Sequence, residues 1–594
     1  MIEYSVRLAD LNRHHFEIQC HVRDPDREQR FTMPSWIPGS YLLREYARHI
    51  VSIRAEENGQ VVEIKKVSKS TWSCRNAGPL LTVTIEVFAL DRSVRGAYLD
   101  GRRGFFNGTC LFLSPEGREE EPVQVRLERP VDLRCKHWRV ATAMTSKTID
   151  DAGFGTYSAS NYDELIDHPI EISDFTDTQF EAAGAPHRLV MAGRHQADLP
   201  RIAKDLTQLC QAHIDFFGGA PPFHGYCFLG LAVGEGYGGL EHRSSSSLIF
   251  CRDYLPKIGE IGVSRDYQRF LSLCSHEYFH TWNVKRIKPQ AFTPYRLDRR
   301  NHTRLMWVFE GITSYYQDLM LLRSHLIEPE AYLEGLGRLL ARVYRTPGRF
   351  RQSIAEASFD AWDKLYKPEA NSSNATVSYY SKGALVALAL DLTIRKESST
   401  NLDRVMGELW KRFGKEGIGI GENEFEILSQ EITGIDLVDF FELGVRGKKD
   451  LPLEELMSEF GVILEFHKAG SVDTSGLSRG EPEPAVDLGV QYRSHPKGLE
   501  LTSIVDDGPG EHAALNSGDV LIAIDGFQVN GRSLAKRLAR FEAGDTVPVT
   551  VFRDDELLEF QIMLAEVAKD NCVLSFDEEA SVTALQRRKA WLGS

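Results

Sequence analysis

The chain has 594 residues, too many for one hydrophobic core, and its 42% hydrophobic and 26% charged residues mark it as globular rather than disordered. A formal net charge of -15 sets it against phosphate backbones, so no nucleic-acid partner is expected. Nine cysteines without a CxxC pair suggest neither a disulfide framework nor a cysteine zinc site. No run approaches 18 apolar residues, and the N-terminus lacks the basic start and apolar core of a secretory signal. No membrane span and a cytoplasmic location are therefore expected.

Residues 1–165 read as a β-rich, sandwich-like domain. Short alternating runs such as EYSVRL, FEIQCHV and LLTVTIEVF are separated by Gly, Pro, Asn and Asp. From 166 to 450 the apolar period lengthens toward 3.6. RIAKDLTQLCQAHIDFF, YQRFLSLCSHEYFHTWN and YYSKGALVALALDLTIR carry helical spacing, with a Gly-rich, strand-like piece, YCFLGLAVGEGYGGLEH, between the first two. A mainly helical domain with a small sheet at one edge is expected. Residues 451–485 read as a connecting segment, 486–566 as a compact unit of strands around a short helix at Ser533–Phe541, and 567–594 as a tail able to form a helix.

The strongest chemical signal is His276-Glu277-Tyr278-Phe279-His280. On a helix of 3.6 residues per turn, His276 and His280 point to the same side, so both imidazoles can reach one metal ion. Glu277 lies beside the open coordination position, where it can take a proton from water. One Zn2+ per chain is expected, because two histidines and a carboxylate suit zinc. A third His at metzincin spacing is excluded, since Asn283 and Arg286 occupy the required Gly and His positions. His302 and Asp298 sit in a polar, loop-like stretch. Glu310, in the apolar run WVFEGITSYY, is the better third ligand, because a carboxylate in such surroundings needs a cation.

HEYFHTWNVKRIKP, WVFEGITSYY, GGLEH, PSWIPGSYLLREYARHI and GFFNGTC together resemble the glycyl aminopeptidase family of gluzincin metallopeptidases, over nearly the whole chain. The resemblance implies three parts: an N-terminal β-sandwich-like domain, a mainly helical thermolysin-like catalytic domain and a C-terminal PDZ domain. It implies that Glu241, beside Gly238 and Gly239, holds a substrate's free N-terminus. It also implies that Tyr380, whose neighbour Tyr379 is easily confused with it, donates a hydrogen bond to the oxyanion. Small N-terminal residues, Gly and Ala, are the implied preference. Many gluzincins place the third ligand closer to the second histidine, so here Pro289–Thr303 must loop out. Leu488, Gly489 and Val490 would form the PDZ loop that takes a peptide's C-terminal carboxylate. Two other readings remain: an endopeptidase whose PDZ domain captures substrates, and a non-catalytic PDZ binding protein.

Overall fold

The computed structural model describes residues 2–76, 78–468 and 485–593. Residues 469–484 of the expected connecting segment lie outside the described residues. The chain divides into two compact units. The first comprises 1–302, 323–327 and 406–421; the second comprises 303–322, 328–405 and 422–594.

The first unit opens with an eight-stranded sheet. Its central strands, Ile2–Asp10, His15–Arg23 and Leu80–Phe88, turn alternate residues inward, so Tyr4, Val6, Phe16, Ile18, Val83 and Ile85 share one core. A second, five-stranded sheet runs in the order Thr176–Ala182, Ala185–Ala192, Tyr226–Val233, Ser245–Cys251, Tyr237–Glu241. The first of the two central pairs joins Ala185–Ala192 to Tyr226–Val233, the next joins Tyr226–Val233 to Ser245–Cys251, and both are parallel. Tyr237–Glu241 lies antiparallel at the edge. Two helices follow the apolar period read in the sequence, Leu199–Phe216 and Arg265–Phe279. Ser264 caps the second, accepting from the amide of Tyr267.

The loop from 289 to 303 holds a single 3-10 turn, Gln290–Phe292. Its apolar residues are covered by the PSWIPGSYLL stretch. The Trp36 indole donates to the carbonyl of Arg296 at 2.9 Å and meets Tyr295 edge-on, and Tyr41 stacks on Phe292. That stretch therefore serves to anchor the loop that separates the HExxH helix from WVFEG.

The second unit is helical, with long helices at Ile312–Arg323, Pro329–Tyr344 and Ser381–Glu397, followed by the C-terminal β module. The module's sheet is Val490–His495, Gly498–Ile504, Val520–Ile524, Thr546–Arg553 and Glu556–Met563, with Phe527–Gln528 paired beside Val520–Ile524. Leu488, Leu501, Leu521, Val549 and Ile562 fill its own core. The expected Ser533–Phe541 helix is the shorter Leu534–Leu538. Within 451–485 the described residues include a helix, Leu453–Ser458, and a strand, Val462–His467. That strand pairs antiparallel with Asn571–Phe576, and a helix follows at Val582–Leu592. The C-terminal β module is thus inserted between two strands that pair with each other.

Candidate active site

In the first unit, His276 and Glu277 occupy the last turn of Arg265–Phe279, and His280 is its C-terminal cap. The two imidazole rings lie 4.6 Å apart, centroid to centroid, at nearly right angles. His280 is buried, and its Nδ1 lies 2.7 Å from the carbonyl oxygen of Asn283. A carbonyl only accepts, so Nδ1 carries the proton and Nε2 keeps its lone pair for a metal. The ring that sequence spacing singled out is therefore held in the ligating tautomer. These donors suit zinc: imidazole nitrogens on one helix face with buried carboxylates beside them.

The edge strand Tyr237–Glu241 supplies the next group. Glu241, Glu277 and His280 are all buried, and one ligand atom from each lies within 4.8 Å of the other two. Gly239 explains the approach of strand and helix: a β-carbon there would sit 2.0 Å from Oε1 of Glu277. The Glu277 side chain occupies the space that a side chain at this position would need. Gly39, at φ +95°, makes the same provision for Glu241, whose Oε2 would meet its β-carbon at 2.5 Å. At Gly238, φ +158°, a β-carbon would meet Arg95 Nη1 and Ile249 at 3.9 Å, ordinary contact distance.

Further supports were invisible in the sequence. Arg95 donates to the carbonyl of Gly239 at 3.1 Å. The turn carrying Arg95 is held by buried Asn107, whose amide donates to the carbonyls of Val94 and Gly96, and by the hydroxyl of Tyr46. This gives GFFNGTC its role. His213 Nε2 lies 2.9 Å from the Ser275 hydroxyl and His187 Nε2 lies 2.8 Å from that of Tyr278, so two buried histidines brace the HExxH helix. Burial pushes them down to about 3 and about 4. Asp167 receives Lys285 at 2.7 Å and the Arg243 amide at 2.9 Å, and lies 3.5 Å from His242. Burial raises its carboxyl pKa, but Lys285 and Arg243 hold it well below the usual carboxylate range.

In the second unit, Glu310 is buried on a π-turn, Trp307–Gly311, that leads into Ile312–Arg323. Such turns are frequent at functional sites. Tyr380 caps the helix Ser381–Glu397. The two elements cross at their glycines: a β-carbon on Gly311 would lie 2.7 Å from Cα of Gly383 and 2.9 Å from the carbonyl of Tyr379. The glycines of WVFEG and YYSKG are thus a contact between backbones. Tyr380 is partly exposed, and its hydroxyl lies 2.7 Å from that of Tyr366. Tyr379 is fully buried and burial pushes its phenol well above the usual value. In the β module, Leu488 is a core residue, and Gly489, at φ +65°, accepts at its carbonyl from the amide of Val505.

The fold together with the HExxH helix defines the class: this is a zinc metallopeptidase. Residues 3–174 match the Peptidase M61 N-terminal domain, 269–386 the M61 glycyl aminopeptidase family and 486–564 the PDZ domain. A solved aminopeptidase N family protein from Idiomarina loihiensis is 40% identical, with all of each chain covered and a TM-score of 0.95. The chain belongs to the M61 glycyl aminopeptidase family, with a C-terminal PDZ domain. A probable periplasmic serine endoprotease, DegP-like, from Brucella suis is 32% identical over 114 residues, 18% of this chain, and a Brucella melitensis relative matches equally. The chain spans 22% of the length of those curated relatives.

Proposed function

We propose that this chain removes single residues from free peptide N-termini, with a preference for Gly and Ala, and that His276, His280 and Glu310 hold its zinc ion. The observation that carries the proposal is the cluster of Glu241, Glu277 and His280 within 4.8 Å. An HExxH site needs only one carboxylate as base. A second buried carboxylate beside it gives a substrate's α-ammonium a partner, which selects exopeptidase action. The choice of Glu310 rests on its burial among apolar residues, where a lone carboxylate is costly.

Bound there, zinc would activate a water molecule and polarise the scissile carbonyl. Glu241 pairs with the substrate ammonium and so sets the first peptide bond in register. Glu277 takes the proton from the attacking water and passes it to the departing amine. The Tyr380 hydroxyl donates to the developing oxyanion, a contribution of a few kcal/mol in comparable sites. Tyr380 is preferred to Tyr379 because its partly exposed side chain is open to substrate, while that of Tyr379 is closed in the core. In the PDZ domain, Val490–His495 is an edge strand. A peptide C-terminus adds there as a further strand, its carboxylate at Leu488, Gly489 and Val490.

The test is hydrolysis of glycyl- and alanyl-p-nitroanilide beside an N-blocked peptide, with and without chelator. Chelator-sensitive release from free amino termini alone is the expected result. Glu241→Gln is expected to raise KM for free-amine substrates far more than it lowers kcat. Cleavage of the blocked peptide would overturn the exopeptidase reading.

A further inference from the structure

HEYFHTWNVKRIKP extends past the metal motif into a stretch that the proposed reaction leaves unused. Lys285, Arg286 and Lys288 line a cavity of about 570 Å³ together with Arg243 and residues of the 410–418 segment, all within the first unit. Lys415 and Glu416 stand exposed at its edge, and their charges offset each other.

The deeper cations divide into two pairs. Lys285 and Arg243 are neutralised, the first by Asp167 at 2.7 Å and the second by Asp163 and Asp167. Arg286 and Lys288 are not. The Arg286 guanidinium donates to three carbonyl oxygens, those of Arg243, Thr281 and Pro222. The Lys288 ammonium sits 4.5 Å over the ring of Tyr295. Among the described residues no carboxylate lies within ion-pair distance of either. Neither is fully exposed. Two partly buried positive charges without counter-ions are costly, and an anion between them removes the cost. Burial first, and Arg243 second, pull Arg286 down to about 10 and Lys288 down to about 7, against the opposing pull of Asp167 on both and of Asp163 on Lys288. All this lies in a chain of net charge -15, so the cavity's sign runs against the rest of the molecule.

We propose that this cavity is a binding site for a small oxyanion, a carboxylate or a phosphate, held by Arg286 and Lys288. The volume exceeds what inorganic phosphate fills and is within the range of small-ligand sites. The site adjoins the amine-binding region through side chains already described: Lys285 and Arg243 both bear on Asp167, which faces His242 next to Glu241.

The test is isothermal titration calorimetry on the metal-loaded full-length chain with three probes: inorganic phosphate, N-acetylglycine and the neutral N-acetylglycinamide. The blocked amine keeps the organic probes from pairing with Glu241. Saturable binding of an anion and none of the amide is expected. Lys288→Gln should weaken it by about tenfold or more, the worth of one charged hydrogen bond, while Lys288→Arg retains it. Phosphate binding alone would assign the site to free phosphate or a phosphate ester; N-acetylglycine binding alone would assign it to a peptide terminus. Either supports the proposal. No saturable heat with either anion, equal binding of the amide, or heat unchanged in Lys288→Gln would overturn it. If Lys288→Gln does not fold, Lys288→Met takes its place, because either anion can also ligate the bound metal. None of these readouts uses turnover, so the peptidase reading stands or falls separately.

Discussion

Gly239 and Gly39 are sites where a carboxylate stands in place of a side chain. Gly239→Ala would put a methyl group 2.0 Å from Glu277 Oε1, so one of them must move. Because Glu277 is the flexible partner, the fold should survive and the proposed base should be displaced. We expect kcat to fall roughly 10²-fold, with Tm changed by only a few degrees, since a misplaced catalytic group costs rate before stability. Full activity in Gly239→Ala would show that the approach is not set by this contact. Glu277→Gln keeps the shape and removes the proposed base. It should retain one metal per chain by atomic absorption and lose about 10²–10⁴ in kcat. The histidines and Glu277 were legible in the sequence because a helix fixes their geometry within five residues. Gly39, Arg95, His187 and His213 were not, because each reaches the site from a distant strand or loop. No local period marks such a residue.

The HExxH helix is an element held by neutral histidines, which makes it sensitive to acid. In the unfolded chain His187 and His213 take a proton near 6.5, whereas in the fold they resist to about 4 and about 3. Between those limits the unfolded state binds more protons. Their contribution to stability is therefore complete above about pH 6.5 and is lost as pH falls, by up to about 1.4 kcal/mol per pH unit for each histidine. Thermal unfolding from pH 7.5 to 4.5 should show Tm falling steeply below about 6.5. His213→Gln should start lower and fall less steeply; a parallel fall would remove His213 from the account. The period of 3.6 revealed these helices but not their crossing. Nothing in the local sequence marks Gly311 and Gly383 as a crossing, and only the fold shows two backbones meeting there.

At the scale of the molecule, the PDZ domain is an insertion. Val462–His467 precedes it, and Asn571–Phe576 follows and pairs with that strand. The helix Val582–Leu592 then returns to the helical core. Its Trp591 is buried and donates to the Tyr315 hydroxyl, which donates to Asp391, and Arg395 donates to the carbonyl of Ala590. The sequence suggested a helical tail, but its amphipathic pattern carried no sign of where it docks. A chain cut at residue 485 should therefore lose the helical unit along with the PDZ domain. Excising 486–566 and bridging the gap should leave a folded unit with cooperative unfolding. Circular dichroism melts of the two would decide, and equal stability would contradict the insertion. The PDZ domain is also fixed sideways. Asn374 donates to the carbonyl of Ile504 at 2.7 Å and accepts from the Asp506 amide, a few residues before Tyr380.

The late position of the strand Asn571–Phe576 and of Trp591 has a consequence for synthesis. The helical unit begins at Thr303, yet its core stays open until residues past 590 have left the ribosome. A prematurely terminated chain, even one carrying every residue of the proposed active site, exposes the apolar surface around Tyr315 and presents an unpaired strand at 462–467. Exposed apolar surface and an open strand edge are what chaperones and proteases act on, so a truncated product should be short-lived in a pulse-chase experiment.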